Sequence, residues 1–235
     1  MKEKDDDDDM NENKGVENDN DNDNNNDNDE CIKMVLVGET GVGKTSIISQ
    51  YSKGLFNPEL MSTNGATFTN KKKVFKDIKK SITFEIWDTA GQEKYRSLAK
   101  NFFKDSLVVL IVYDISNKSS FEEVKNYWMN LVKENVSNDI IIYLVGNKND
   151  LFGQEAVKEE EAKQYAQEQN IFYWKISAKT STGIDELFED IGKKCLSPEF
   201  INSEENQNIK QRKYDIKIKK EGNNQDNKDK SQCIC

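Results

Sequence analysis

Apolar and polar positions along this chain fall into blocks with two distinct periods. Cys31–Val37 is a mostly apolar run closed by Gly38, which predicts a buried strand ending in a glycine loop. Lys44–Lys53 has helical character. Residues 67–76 and 81–87 predict two strands joined by a short turn at Asp77–Lys80, with Ile82, Phe84 and Ile86 on one face and Thr83 and Glu85 on the other. Strands then alternate with helices: strand Leu107–Tyr113, helix Ser120–Asn135 opened by a Ser120…Glu123 capping box, strand Ile140–Val145 and charged helix Lys158–Gln169. Strand Ile171–Ile176 and helix Ile184–Leu196 follow, the helix carrying Ile184, Leu187, Phe188, Ile191 and Cys195 on one side. This alternation implies right-handed crossovers and an α/β fold. The expected architecture is a doubly wound, mostly parallel six-stranded sheet with helices on both faces and one antiparallel edge strand from the 67–87 hairpin.

The ends of the chain do not share this texture, and charge shows why. Residues 1–30 hold 14 acids and 3 bases among Asp, Asn and Glu, too few apolar groups to offset ordering entropy, so an acidic disordered arm is expected there. Residues 31–199 hold 23 acids and 23 bases, so the net charge of −9 belongs to the arm and not to the domain. From about Ser197 the chain turns polar again, with six bases and one acid in Lys210–Lys220. The division expected is therefore an arm at 1–30, a domain at 31–197 and a flexible basic tail at 198–235.

Composition removes several chemistries. With no histidine there is no Ser-His-Asp triad and no histidine-ligated metal. Four cysteines at 31, 195, 233 and 235 are too scattered for a disulfide framework, which suits a reducing, cytosolic compartment. The N-terminus has neither a secretory nor a transit pattern, and the longest apolar runs fall well short of the roughly 20 residues of a membrane span. Any membrane attachment is expected to be peripheral or covalent.

Three motifs carry the chemistry. Gly38-Glu39-Thr40-Gly41-Val42-Gly43-Lys44-Thr45 fits G-x-x-x-x-G-K-[ST], placed between a strand and a helix start as phosphate binding requires. Glycines let backbone amides converge on phosphate oxygens, the helix start adds partial positive charge, Lys44 would bridge β- and γ-phosphates, and the Thr45 hydroxyl would ligate Mg²⁺. Asn147-Lys148-Asn149-Asp150 follows a strand end, and a carboxylate at Asp150 would accept hydrogen bonds from guanine N1–H and its 2-amino group. Adenine has neither donor there, a mismatch worth discrimination of order 10⁴. Ser177-Ala178-Lys179 closes the last strand and fits a second guanine contact. In Asp88-Thr89-Ala90-Gly91-Gln92-Glu93, Asp88 suits a carboxylate acting on Mg²⁺ through water, the Gly91 amide would sense the γ-phosphate, and Gln92 would orient an attacking water.

Over residues 31–197 these motifs resemble the Ras-like small GTPases, and among them the Rab family. The resemblance implies a P-loop NTPase with GTP or GDP and Mg²⁺ bound and slow intrinsic hydrolysis. Phe56 would stack on guanine, Thr63 would be the switch I threonine on Mg²⁺, Ser46 would join the phosphate loop and Asn147 would brace it. Ile86-Trp87-Asp88 through Glu93, Tyr113-Asp114-Ile115 and Phe121…Trp128 are also similar to Rab sequence. Departures are Asn64 in switch I, Asn101-Phe102-Phe103 where a Tyr-Tyr pair is commoner, and Thr40 in the phosphate loop. Cys233-Ile234-Cys235 matches the Cys-x-Cys ending that takes two geranylgeranyl groups, and two lipids give stable anchoring where one does not. The resemblance further implies an activating protein, a nucleotide exchange factor, a GDP-dissociation inhibitor, escort and prenylation machinery, and effectors on switches I and II. It implies a monomer in solution with no nucleic-acid partner, held on the cytoplasmic face of an endomembrane with a cytosolic pool, acting in vesicle traffic. A nucleotide-bound scaffold that hardly hydrolyses GTP and a P-loop ATPase remain as alternatives, opposed by Gln92 and Asp150 respectively. A soluble nuclear-transport GTPase is a third, disfavoured by the Cys-x-Cys end.

Overall fold

Seven consecutive buried residues, Val108–Asp114, form a strand with no exposed face, and such a strand requires a packed layer on each side of its sheet. The computed structural model describes residues 29–59, 63, 66–89, 100–137, 139–203, 206–209 and 211. The elements are β1 (Asp29–Val37), α1 (Lys44–Lys53), β2 (Ala66–Phe75), β3 (Lys80–Thr89), β4 (Val108–Asp114), α2 (Lys118–Glu123), a π turn (Val124–Trp128) and α3 (Met129–Asn135). They continue as β5 (Ile141–Asn147), α4 (Glu159–Gln169), β6 (Phe172–Lys175), α5 (Ile184–Cys195) and α6 (Pro198–Ile201), with short 3-10 segments at Lys100–Phe102 and Asn149–Gln154.

The strands form one six-stranded sheet in the order β2-β3-β1-β4-β5-β6. All neighbours run parallel except β2 and β3, which pair antiparallel at one edge. Alternation along the central strands feeds two cores. Ile32, Met34 and Leu36 of β1, with Val108, Leu110 and Val112 of β4, share a cluster with residues of α1 and α5. Val35, Val37, Val109, Ile111 and Tyr113 point the other way, into a cluster with residues of α2, α3 and α4 that encloses Trp128. The fold is the expected α/β sandwich, and the C-terminal ends of β1, β4 and β5 lie along the edge where open parallel sheets place ligands.

Three local expectations give way to tertiary demands. The helix expected to begin at Ser120 begins at Lys118, and its cap is Asn117, whose Oδ1 accepts from the amides of Ser119 at 3.0 Å and Ser120 at 3.4 Å. Ser120 is buried and serves β4 instead, its hydroxyl accepting from the Asp114 amide at 3.0 Å and donating to the Asn117 carbonyl at 2.7 Å. The single helix expected over Ser120–Asn135 is interrupted by the π turn at Val124–Trp128, within which Val124 and Trp128 are both buried. Helical turns also continue past Ser197, where a flexible tail was expected to begin. Phe200 packs on the α1/α5 core and Ile209 is buried in it, while the side-chain Nδ2 of Asn206 donates to the Phe200 carbonyl. Among the described residues no helix is long and apolar enough to cross a membrane.

The contact between β2 and α5 is tight enough to reverse an ordinary preference. Alanine in a helix normally gains about 1 kcal/mol over glycine. At Gly192 in α5, however, a Cβ would stand 2.0 Å from Cζ of Phe75, a ring 1% exposed. The clash outweighs the propensity, so Gly192→Ala is expected to destabilise the fold by about 1–3 kcal/mol in chemical denaturation. Adding Phe75→Leu is expected to recover part of that loss, and a stabilised single variant would contradict the packing.

Candidate functional site

The loops that follow β1, β5 and β6, together with the loop before β2, surround a cleft of about 470 Å³, within the size range of small-molecule sites. The loop after β1 is forced into its path by glycine. Gly38 has φ 142°, and a Cβ there would lie 2.2 Å from the Val112 carbonyl oxygen, so β4 leaves room for nothing larger. Gly43 has φ 97°, and a Cβ would fall 2.3 Å from Nδ2 of Asn147. Helix α1 starts at this glycine with no side-chain cap, which leaves its first amides to a ligand at the positive end of the helix dipole. Thr40, Gly41, Gly43, Lys44, Thr45 and Ser46 line the cleft, while Gly38, Glu39 and Val42 of the same loop do not.

Lys44 is buried within the loop that precedes it. Its Nζ donates to the carbonyls of Gly38 at 2.8 Å and Glu39 at 2.9 Å. Burial lowers its pKa to about 8, against the attraction of Asp88 and Glu39. Beside it, the hydroxyls of Thr45 and Thr63 stand 2.7 Å apart and reach Oδ2 of Asp88 at 2.6 and 3.3 Å. The carboxyl is 1% exposed, and burial raises its pKa against the pull of Thr45, Lys44 and Thr63. Its second oxygen, Oδ1, is buried with no hydrogen-bond partner among the described residues. Two hydroxyls and a carboxylate with a spare buried oxygen are the hard donors that Mg²⁺ takes together with water and phosphate. Thr45, Thr63 and Asp88 therefore fit the cation, although the described residues hold no group of three or more His, Cys, Asp and Glu side chains able to bind a metal.

The other half of the cleft is organised by Asn147, 1% exposed at the end of β5. Its Nδ2 donates to the Val42 carbonyl at 2.8 Å and its Oδ1 accepts from the Ala178 amide at 3.1 Å. The glycine loop and the loop after β6 are thus tied through one side chain. Asp150 accepts from the Ser177 hydroxyl at 2.6 Å and lies 3.8 Å from Nζ of Lys179. The same hydroxyl accepts from the Thr180 amide at 3.2 Å, which fixes the carboxylate from below. Phe56 lines the cleft opposite with 37% of its surface exposed, so it is a wall residue and not core.

Most residues singled out in the sequence come together here. Gly91 and Gln92 lie outside the described residues, as do Asn64, Cys233 and Cys235. Sequence reasoning missed Asn57, Pro58, Thr89 and Leu151 on the cleft wall. It also missed the partner of Lys148, whose Nζ pairs with Oδ2 of Asp114 at 2.7 Å while its backbone takes φ 69°. An aspartate buried at the end of an otherwise apolar strand was the available signal, because such a carboxylate demands a partner. Thr89 donates to the Leu36 carbonyl at 2.7 Å and so binds β3 to β1 at the rim.

Comparison with known proteins agrees with this geometry. Residues 33–197 match the family described as the Ras family. The chain is 39% identical over 208 residues to the GTP-binding protein YPT52 of Saccharomyces cerevisiae, an alignment spanning 75% of this chain and 88% of that protein.

Removing the Asn147 carboxamide would orphan a carbonyl and an amide on two different loops. Asn147→Ala is expected to lower stability by about 2–4 kcal/mol and to speed nucleotide release at least about tenfold. Denaturant unfolding and release of a fluorescent guanine nucleotide measure the two effects, and release at the parent rate would show that the loops hold without the bridge.

Proposed function

The chain belongs to the Ras family as a Rab-like small GTPase, and from that premise we propose which residues perform its cycle and where the cycle takes place. It binds GTP and GDP with Mg²⁺, hydrolyses GTP, and acts in vesicle traffic with the regulators and effectors such a switch requires. In our reading the loop Gly38–Gly43 and Ser46 cradle the phosphates, and Lys44 spans the β- and γ-phosphates. Thr45 and Thr63 hold Mg²⁺ directly and Asp88 holds it through water. The cation supplies charge neutralisation at the transferring phosphoryl group. Gln92 orients the attacking water and Gly91 senses the γ-phosphate. Phe56 stacks on guanine, and Lys148, Asp150, Ser177, Ala178 and Lys179 enclose the base.

The observation that carries this reading is the fixed carboxylate of Asp150. Ser177 holds one of its oxygens, and Asn147 sets the loop that faces it. A prepositioned carboxylate in the cleft suits guanine, which presents two donors, and would be left unpaired against adenine. Asp150→Ala is expected to reduce the preference for GTP over ATP by about 10³-fold or more, measured by competition against a fluorescent GDP. An unchanged preference would return the P-loop ATPase alternative. Gln92→Leu is expected to slow single-turnover hydrolysis while leaving GTP affinity unchanged; equal hydrolysis rates would favour the non-hydrolysing scaffold.

For partners we propose an activating protein, an exchange factor, a GDP-dissociation inhibitor with escort and prenylation machinery, and effectors that read switches I and II. An aromatic run beside the switches supports the last of these. The ring centroids of Phe68 and Trp87 lie 5.1 Å apart and those of Trp87 and Phe102 5.3 Å, with Phe68 exposed. The protein is monomeric in solution in this reading. Lipids on Cys233 and Cys235 hold it on the cytoplasmic face of an endomembrane, with a cytosolic pool. Cys233→Ser with Cys235→Ser is expected to shift a tagged protein wholly to the cytosol on imaging, and retention on membranes would refute the lipid anchor.

A further inference from the structure

Away from the cleft, the turn between β2 and β3 concentrates charge of one sign. Lys76, Asp77, Ile78, Lys79 and Lys80 are all exposed. The one acid among them, Asp77, lies 3.6 Å from Nζ of Lys193 in α5. Three exposed lysines therefore lie within a few positions of two apolar side chains that face water, Ile78 at 44% and Val74 at 59% exposure. An isolated exposed apolar residue needs no explanation, but two set among lysines at the tip of a hairpin form an amphipathic surface.

Its position in the fold is equally specific. Strand β3 begins at Lys80 and carries Asp88 eight residues later, so the turn stands about 26 Å from the cleft at the opposite ends of the parallel strands. The C-terminal half of α5 lies in the same neighbourhood. Lys73 pairs with Glu189 of α5 at 2.9 Å, and Phe75 packs against Gly192. Helix α5 ends three residues later at Cys195, and Phe200 and Ile209 then join the core layer shared with α1 and α5. The segment with six bases between Lys210 and Lys220, and then Cys233 and Cys235, follow in sequence.

We propose that the β2–β3 turn is a membrane-contact surface, in which Lys76, Lys79 and Lys80 meet anionic lipid headgroups while Ile78 and Val74 enter the interfacial layer. This placement extends the membrane attachment proposed above and turns the cleft and Thr63 away from the bilayer. A second candidate for the lysines is acidic: Asp29 is in register with Ser81, and the acidic segment 1–28 precedes it in sequence. The apolar pair decides between them. The segment 1–28 has only Met1, Met10 and Val16 as large apolar side chains, scattered among Asp, Asn and Glu, so it offers Ile78 and Val74 little to bury against, whereas a bilayer interface does.

The test uses the full, unprenylated chain, so a failure of the lipid-anchor reading leaves it intact. Co-sedimentation with phosphatidylcholine vesicles containing 30 or 0 mole per cent phosphatidylserine reads the partition coefficient. Each lysine near an anionic leaflet strengthens binding about fivefold, so K76E/K79E/K80E is expected to weaken binding to the anionic vesicles by at least about twentyfold. Ile78→Asp alone is expected to weaken it by at least about threefold. Reversal of Lys133, Lys158 and Lys163, carried on or beside helices of the other layer, is expected to cost less than about threefold. Unchanged GDP affinity in every variant shows that the fold is intact. Equal losses from the two triple reversals, or none from the turn, would overturn the proposal. The comparison is repeated with Asp5 to Asp9 all changed to Asn. If the effect of the turn then vanishes, the lysines serve the acidic segment and the membrane proposal falls; if it persists, they act on the lipid.

Discussion

The carboxamide of Asn147 reaches Val42 in the glycine loop and Ala178 behind β6 at once, and the cleft takes its form from that reach. Both hydrogen bonds are buried, so neither loop can drift without stranding a backbone group away from water. Gly43 lies against the same side chain so closely that a Cβ would overlap it. The two halves of the cleft are consequently one mechanical unit. Asp150 and Ser177 inherit their positions from this arrangement, since Asn149 donates its amide to the Ile176 carbonyl at 3.0 Å just beside it.

The opposite side of the cleft works by withheld solvation. Burial lowers Lys44 and raises Asp88, the direction expected when each charged form loses water. Their mutual attraction opposes both shifts without removing them. A site of this kind favours whatever brings compensating charge. A polyphosphate would supply anion to the lysine and the loop amides, and its cation would supply charge to the spare oxygen of Asp88. The two hydroxyls of Thr45 and Thr63 sit between them, coming from α1 and from the loop before β2. That Thr63 belongs to a separate loop matters for switching, because its contact with Asp88 is one that cation coordination can make or release.

Much of this was legible in the sequence because the relevant forces act locally. The G-x-x-x-x-G-K-T spacing encodes backbone conformation, and apolar runs such as Leu107–Tyr113 encode a strand buried on both faces. The hairpin turn and the face of α5 also follow from short-range patterning. What escaped involved contacts between distant segments. Ser120 reads as a helix cap, yet it was needed to hold the end of β4, and Asn117 capped the helix in its place. The pairing of Lys148 with Asp114 joins residues 34 positions apart that share no local pattern. Ile209 sits in a polar stretch, and only the core it enters gives its burial meaning.

The charge balance of the domain bears on how such a molecule is oriented. With 23 acids and 23 bases over residues 31–199, the domain has no large net field, and exposed charges farther apart than about 8 Å are largely screened at physiological salt. Orientation against any charged surface must then come from local clusters and their distance from one another. The sheet supplies that distance. Parallel strands place the nucleotide loops at one end, and the β2–β3 hairpin with the helix leading to the tail lies at the other. Because β3 spans both, with Lys80 at its start and Asp88 in the cleft, a rigid ladder paired to β1 and β2 separates the two ends. The cleft is thereby kept clear of the end at which β1 begins and α5 stops.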